Sequence, residues 1–241
     1  MKLKNIYQAC HEGDLDRVKQ ILEAKPKAVN LPDKNLCCPI FHAAYHGHYD
    51  IVEYLIERGA DLSAGEGYVL HYATKPGNNK KTVRLLIEHG ALESYTHPQN
   101  DEDRQFLTAL FLANGSQLKS MLKDCPDLVD KLDNKRFYPI HRACQHGDTK
   151  IVSLLLDYGA NKNAFSKTAQ TPLYCAAAHL HFETVKLLLA EHVNINQKLS
   201  DGNDILEWLE LYAENNPPVQ KVRRLIKSKI RVKRRRITRF F

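Results

Sequence analysis

An all-α solenoid of stacked helix-turn-helix units is the fold class this sequence predicts, and three observations carry the prediction. The chain repeats itself: Pro39-Ile40-Phe41-His42-Ala43-Ala44-Tyr45-His46-Gly47 returns 100 residues later as Pro139-Ile140-His141-Arg142-Ala143-Cys144-Gln145-His146-Gly147. A small residue recurs at Ala9, Ala43, Ala73, Ala109, Ala143 and Ala176, with gaps of 34, 30, 36, 34 and 33, and a further step of 33 falls on Leu209. Downstream of each small residue, Ile51-Val52 with Leu55 and Ile151-Val152 with Leu155 fall at helical spacing and lead into Gly59-Ala60 and Gly159-Ala160. A fixed period of 20 to 50 residues is the sequence mark of a repeat architecture.

Each part of a repeat has a physical task. Proline at 39, 139 and 172 suits the first turn of a helix, where its missing N–H has no intrahelical partner to lose. The pair of small residues lets that first helix approach its neighbour closely. The Val/Ile and Leu-Leu positions make the apolar stripe of a second helix. Gly59, Gly90 and Gly159 stand just past it, where a left-handed cap favours glycine. One such repeat cannot bury its own apolar face, so neighbours must stack.

The motif Pro-Leu/Ile-His-x-Ala at a period near 33, with Thr171-Pro172-Leu173-Tyr174-Cys175-Ala176-Ala177 as its best copy, resembles the ankyrin-repeat family. The resemblance implies about six repeats, near 1–32, 33–64, 65–97, 98–132, 133–165 and 166–198, a helical cap at 199–229, and a β-hairpin finger after each second helix. A basic C-terminal tail occupies 230–241.

Departures from the pattern are local. The finger around Ala64-Gly65-Glu66-Gly67 is short, and an extra residue sits near Gly77-Asn78-Asn79. The fourth repeat lacks the proline and has a polar lead from Pro98 to Asp103. Leu180 and His192 stand where glycine is preferred, and Asn215-Asn216-Pro217-Pro218 reads as a helix break.

Composition narrows the function classes. No run of about 18 apolar residues exists to cross a membrane as a helix. The charged, polar start Met-Lys-Leu-Lys-Asn is not that of a secretory signal. Six cysteines in 241 residues form no dense framework, so reduced thiols in a cytoplasmic or nuclear setting are expected. The net charge of +7 is unevenly spread: residues 221–241 hold eleven Lys and Arg and no acid, while the other 220 hold 24 basic and 28 acidic groups.

No phosphate-binding, dinucleotide-binding, zinc-protease or nucleophile-elbow motif is present, and no cofactor is called for. The chain is therefore read as a non-enzymatic scaffold. Cys37, Cys38, His42 and His46 lack a zinc spacing, since adjacent cysteines chelate poorly. His71 and His141 fall in the motif, where the family resemblance implies hydrogen bonds to neighbouring loops. His46 and His146 are expected to face solvent.

The resemblance also implies that a partner protein binds on a concave surface of first helices and fingers. The positions after the small pair, and the finger tips, then supply the contacts: Tyr45, His46, Tyr68, Phe111, Leu112, Phe137, Gln145, His146 and His179. Phe111 and Leu112 have a second reading, as residues repacked inside a degenerate repeat. The chain is expected to be a monomer. Lys233, Arg234, Arg235 and Arg236 form a basic cluster that fits either a nuclear import signal or an anionic partner, nucleic acid or membrane.

Overall fold

Proline and glycine punctuate the chain where the sequence places them. The structure, a computed structural model, describes residues 5–64, 69–74, 80–96, 98–133, 135–214 and 216–237. Among these it holds fifteen α-helices and no strand. The chain divides into two compact units, residues 1–114 and 115–241.

The N-terminal unit contains α1 (Ile6–Glu12), α2 (Leu15–Ala24), α3 (Pro39–His46), α4 (Tyr49–Glu57), α5 (Val69–Ala73), α6 (Lys80–Glu88), α7 (Ala91–Thr96) and α8 (Asp101–Phe111). First helices α1, α3 and α5 pack in a row, and second helices α2, α4 and α6 in another. Ala9, Ile40, Ala43, Ala44, Leu70 and Ala73 are buried along the first row, and Val18, Ile51, Val52, Leu55, Val83 and Leu86 along the second. Each large aliphatic side chain buried this way contributes roughly 1.5–3 kcal/mol.

The C-terminal unit contains α9 (Gly115–Asp124), α10 (Pro139–His146), α11 (Thr149–Asp157), α12 (Pro172–Ala178), α13 (Phe182–Ala190), α14 (Ile205–Ala213) and α15 (Pro217–Ile237). Here α10 packs on α12, and α9, α11, α13 and α15 follow one another. α15 also packs on α14, so these two form a further helix pair at the end of this unit. The break at Asn216-Pro217-Pro218 lies where the sequence puts it. α15 then runs on without interruption to Ile237, past the expected cap boundary at 229. Its interior contains no Gly or Pro, so nothing in the backbone chemistry stops the helix there.

The expected β-hairpins are reduced to tight turns, each closed by one pair of backbone bonds. Asp33 N–H donates to the Cys37 carbonyl, Asp133 to Phe137, Ser166 to Gln170 and Leu199 to Asn203, at 2.8–3.0 Å. The second bond of each pair closes the tip itself, from Leu36, Arg136, Ala169 and Gly202, which leaves one cross-finger bond, too few for a strand. Each tip turns at a positive φ, at Leu36, Arg136, Ala169 and Gly202. Only the last is glycine. Leu180 and His192 also adopt the left-handed region, at φ 60° and 56°, so they occupy glycine sites of the repeat without being glycine.

The third finger is absent. In its place stands α7, followed by α8 with Asn100 as its cap, whose side chain accepts from Asp103 N–H at 2.8 Å. The end of the fourth repeat's polar lead is thus the capped first turn of an eleven-residue helix. Acidic Asp101, Glu102 and Asp103 suit that first turn through the helix dipole.

Candidate protein-binding face

The first helices and fingers are positioned by a histidine bond that recurs in both units. The ring of His48, at the cap of α4, lies against Gly13 and its Nε2 hydrogen-bonds to the His11 carbonyl at 3.0 Å. The ring of His181, at the cap of α13, does the same over Gly147 to the Gln145 carbonyl at 2.8 Å. A β-carbon on Gly147 would come within 2.5 Å of the His181 ring, and one on Gly13 within 2.7 Å of His48. These glycines therefore supply both a positive φ and room for the ring.

The motif histidine acts as the resemblance implies. His141 Nε2 lies 3.1 Å from the Ala164 carbonyl and 2.9 Å from that of Gln170, joining α10 to the next finger. Burial drives its pKa down to about 4 even though both carbonyls favour the proton. His71 is buried too.

The finger aspartates form a second recurring device. Asp33 accepts from the Asn35 and Cys37 N–H groups and pairs with His42 at 3.1 Å. Asp133 accepts from Phe137 N–H and pairs with Arg142 at 2.6 Å, with both side chains only 2% exposed. The Arg142 guanidinium also stacks over Phe137 at 4.4 Å and donates to Gln145 at 3.1 Å.

The expected contact residues distribute unevenly over this frame. Tyr45 is exposed, 6.0 Å from the Tyr72 ring and 4.9 Å from His46. His46 is exposed, as expected, and edge-on to His11 at 4.0 Å. Leu112, Phe137 and His179 are half-buried. Tyr68 lies outside the described residues.

Three expectations of exposure are corrected. Phe111 is buried, because the buried face of α8, which also carries Phe106, Leu107, Ala109 and Leu110, is wide enough to take it in; the repacked reading fits it. Gln145 is drawn inward by Arg142 and by its own carbonyl bond to His181. His146, expected in solvent, is buried. Burial, with the nearby charges of Arg142, His179 and His181, holds its pKa well below the usual imidazole range.

Other residues of this face were not singled out in the sequence. Tyr174, Trp208 and Tyr212 form a ladder, with centroids 4.8 Å apart at each step. Leu31, Leu36, Leu132, Phe165, Leu211 and Tyr212 join Tyr45 as exposed large apolar side chains, from 38% exposure at Leu132 to 77% at Leu36. Leu211 and Tyr212 could have been found by carrying the repeat one step further, since Leu209 takes the place of Ala176. Every one of these seven lies on a first helix, on a finger or on the one or two residues leading into a finger.

The cysteines and histidines considered for a metal have separate partners. Cys37 donates to the Asn35 carbonyl, Cys38 to that of Asn30, and His42 meets Asp33. Among the described residues no group of three or more His, Cys, Asp or Glu is placed to hold an ion. Cys10, Cys144 and Cys175 are fully buried, and burial pushes the Cys10 and Cys175 thiols up to about 12. No helix among the described residues is long and apolar enough to cross a membrane.

Known proteins share this pattern. The Neurospora crassa "Ankyrin repeat protein nuc-2" is 30% identical over 190 residues, which is 76% of this chain and 17% of that protein. The Saccharomyces cerevisiae "Target of rapamycin complex 2 subunit AVO2" is 26% identical over 199 residues, 81% of this chain and 39% of its own length. The same yeast's "Probable 26S proteasome regulatory subunit p28" is 24% identical over 227 residues, covering 88% and 97%. This chain thus spans less than half of the first two. The family profile of ankyrin repeats, in three copies, matches residues 5–66 and 99–199, and the chain belongs to the ankyrin-repeat family.

Proposed function

We propose that this chain is a non-enzymatic scaffold that binds another protein through its first helices and fingers. One observation carries the reading: all seven exposed large apolar side chains among the described residues fall on first helices, on fingers or on the residues leading into a finger, and none on a second helix. Single exposed apolar groups are ordinary, but confinement to one class of element is not what solvation alone would select. The family supports it, and two of the similar proteins carry names of complex subunits. The test is affinity for a captured partner. Tyr45→Ala and Leu211→Ser alter exposed groups and should leave the melting transition within about 0.5 kcal/mol of the parent. At least one should weaken the partner by tenfold or more, as a hot-spot residue does. Unchanged affinity in both would remove this face.

A second reading concerns the basic end. The run Lys233-Arg234-Arg235-Arg236 lies within the continuous helix α15, which favours a rigid cationic arm for an anionic partner or an import receptor. Binding driven by it should fall steeply with salt, unlike binding through the apolar face. Replacing the four residues by alanine should reduce nuclear accumulation if the cluster is an import signal.

A further inference from the structure

Two fingers of the C-terminal unit enclose a groove of about 330 Å³ lined by Leu132, Arg136, Tyr138, Phe165, Ser166 and Lys167. The fingers are tied side by side, with Lys167 N–H donating to the Arg136 carbonyl at 3.3 Å. Leu132 and Phe165 are exposed apolar walls, and Tyr138 is held by stacking on His141 at 5.8 Å. Arg136 sits at the turn with φ 58°, a left-handed residue with a long cationic side chain where glycine would cost less strain. The lining contains two cations and no carboxylate. Asp133, the acidic residue of this finger, is already held in the buried pair with Arg142. Neither Arg136 nor Lys167 has an ion-pair partner among the described residues.

We infer that this groove binds an acidic segment of a partner protein, one that seats an apolar side chain between Leu132 and Phe165 and sets flanking carboxylates against Arg136 and Lys167. This rests on the scaffold reading and names the chemistry of its partner. The volume is at the small end of ligand pockets, roughly 300–1,000 Å³, which suits one anchoring side chain. The guanidinium fork matches a carboxylate with two parallel bonds. Charge complementarity decides between occupants: a basic segment would meet like charge. A nucleic acid would find only two phosphate contacts over an apolar floor, where tight binders use about 6–10.

The probe is a fluorescein-labelled peptide with one leucine flanked by glutamates, read by anisotropy with the full chain. Its glutamine counterpart and a single-stranded oligothymidylate are the comparisons. The glutamate peptide should bind at least about tenfold tighter than the glutamine peptide in low salt. Arg136→Gln with Lys167→Gln should remove that advantage, and Phe165→Ser should weaken both peptides. Arg136→Gly, which suits the positive φ and removes the charge together with the side chain, should act like Arg136→Gln and exclude backbone misfolding as the cause. Equal binding of the two peptides, or a double variant that binds like the parent, would overturn the inference. So would an oligothymidylate that binds more tightly than the peptide and depends on the same two residues. A captured partner released by Tyr45→Ala or Leu211→Ser but not by the groove variants would overturn the groove and leave the scaffold reading standing.

Discussion

Gly147 and Gly159 both turn the chain at positive φ, 75° and 91°, yet they should respond differently to alanine. Nothing lies within 4 Å of a β-carbon at Gly159, so Gly159→Ala meets only the backbone cost of the left-handed region, about 1–2 kcal/mol. At Gly147 the new methyl must also displace the His181 ring and strain its bond to Gln145. Urea unfolding should show the larger loss for Gly147→Ala. The excess should vanish in a His181→Ala background, where the ring is gone. Glycine positions of this kind are legible in a sequence, but the ring beside one of them is not, because it arrives from the next repeat. His141 and His146 give a second test. Both are buried, with pKa values below that of an unfolded imidazole. The unfolded chain therefore binds more protons in acid, and stability falls as pH drops below about 6.5. For His141 the loss reaches roughly 3 kcal/mol by pH 4 and levels off below it. Denaturation midpoints from pH 7 to pH 4 should fall more in the parent than in His141→Asn.

The finger and the first helix behind it were legible as elements, whereas the pairs that brace them were not. Asp33 with His42 and Asp133 with Arg142 stand in the same register, 100 residues apart. The first pair is partly exposed and should contribute less than about 1 kcal/mol. The second is buried, and Arg142→Ala would leave the Asp133 carboxylate without its counter-charge, at a cost of about 3–5 kcal/mol. Thermal or urea unfolding of His42→Ala and Arg142→Ala separates the two. A similar loss in both would mean that burial does not set the difference. Elements were misjudged where the motif fails: α7 replaces a finger because Ala91-Leu92-Glu93 continues helically after Gly90, and no motif residue marks that choice. Exposure failed nearby at Phe111 and again in the fifth repeat, where the motif is intact. The rule that the two residues after the small pair face outward holds for Tyr45, His46, Leu211 and Tyr212, and breaks at Phe111, Gln145 and His146, where neighbouring side chains close over them.

For the molecule, the order of helices was readable from a period near 33, since each repeat must present the same apolar stripe to its neighbours. The surface was less readable, because exposure depends on what the adjacent repeat places opposite. What the surface does is best measured by site-specific photo-crosslinking in cells that make the protein. A photoreactive residue is placed in turn at Leu36, Tyr45, Phe165 and Tyr212, and for comparison at Glu57, Ser153 and Lys186 on second helices. Binding through first helices and fingers requires discrete protein adducts from the first set and few or none from the second. Adducts of equal yield from both sets, or from the second-helix positions alone, would contradict it.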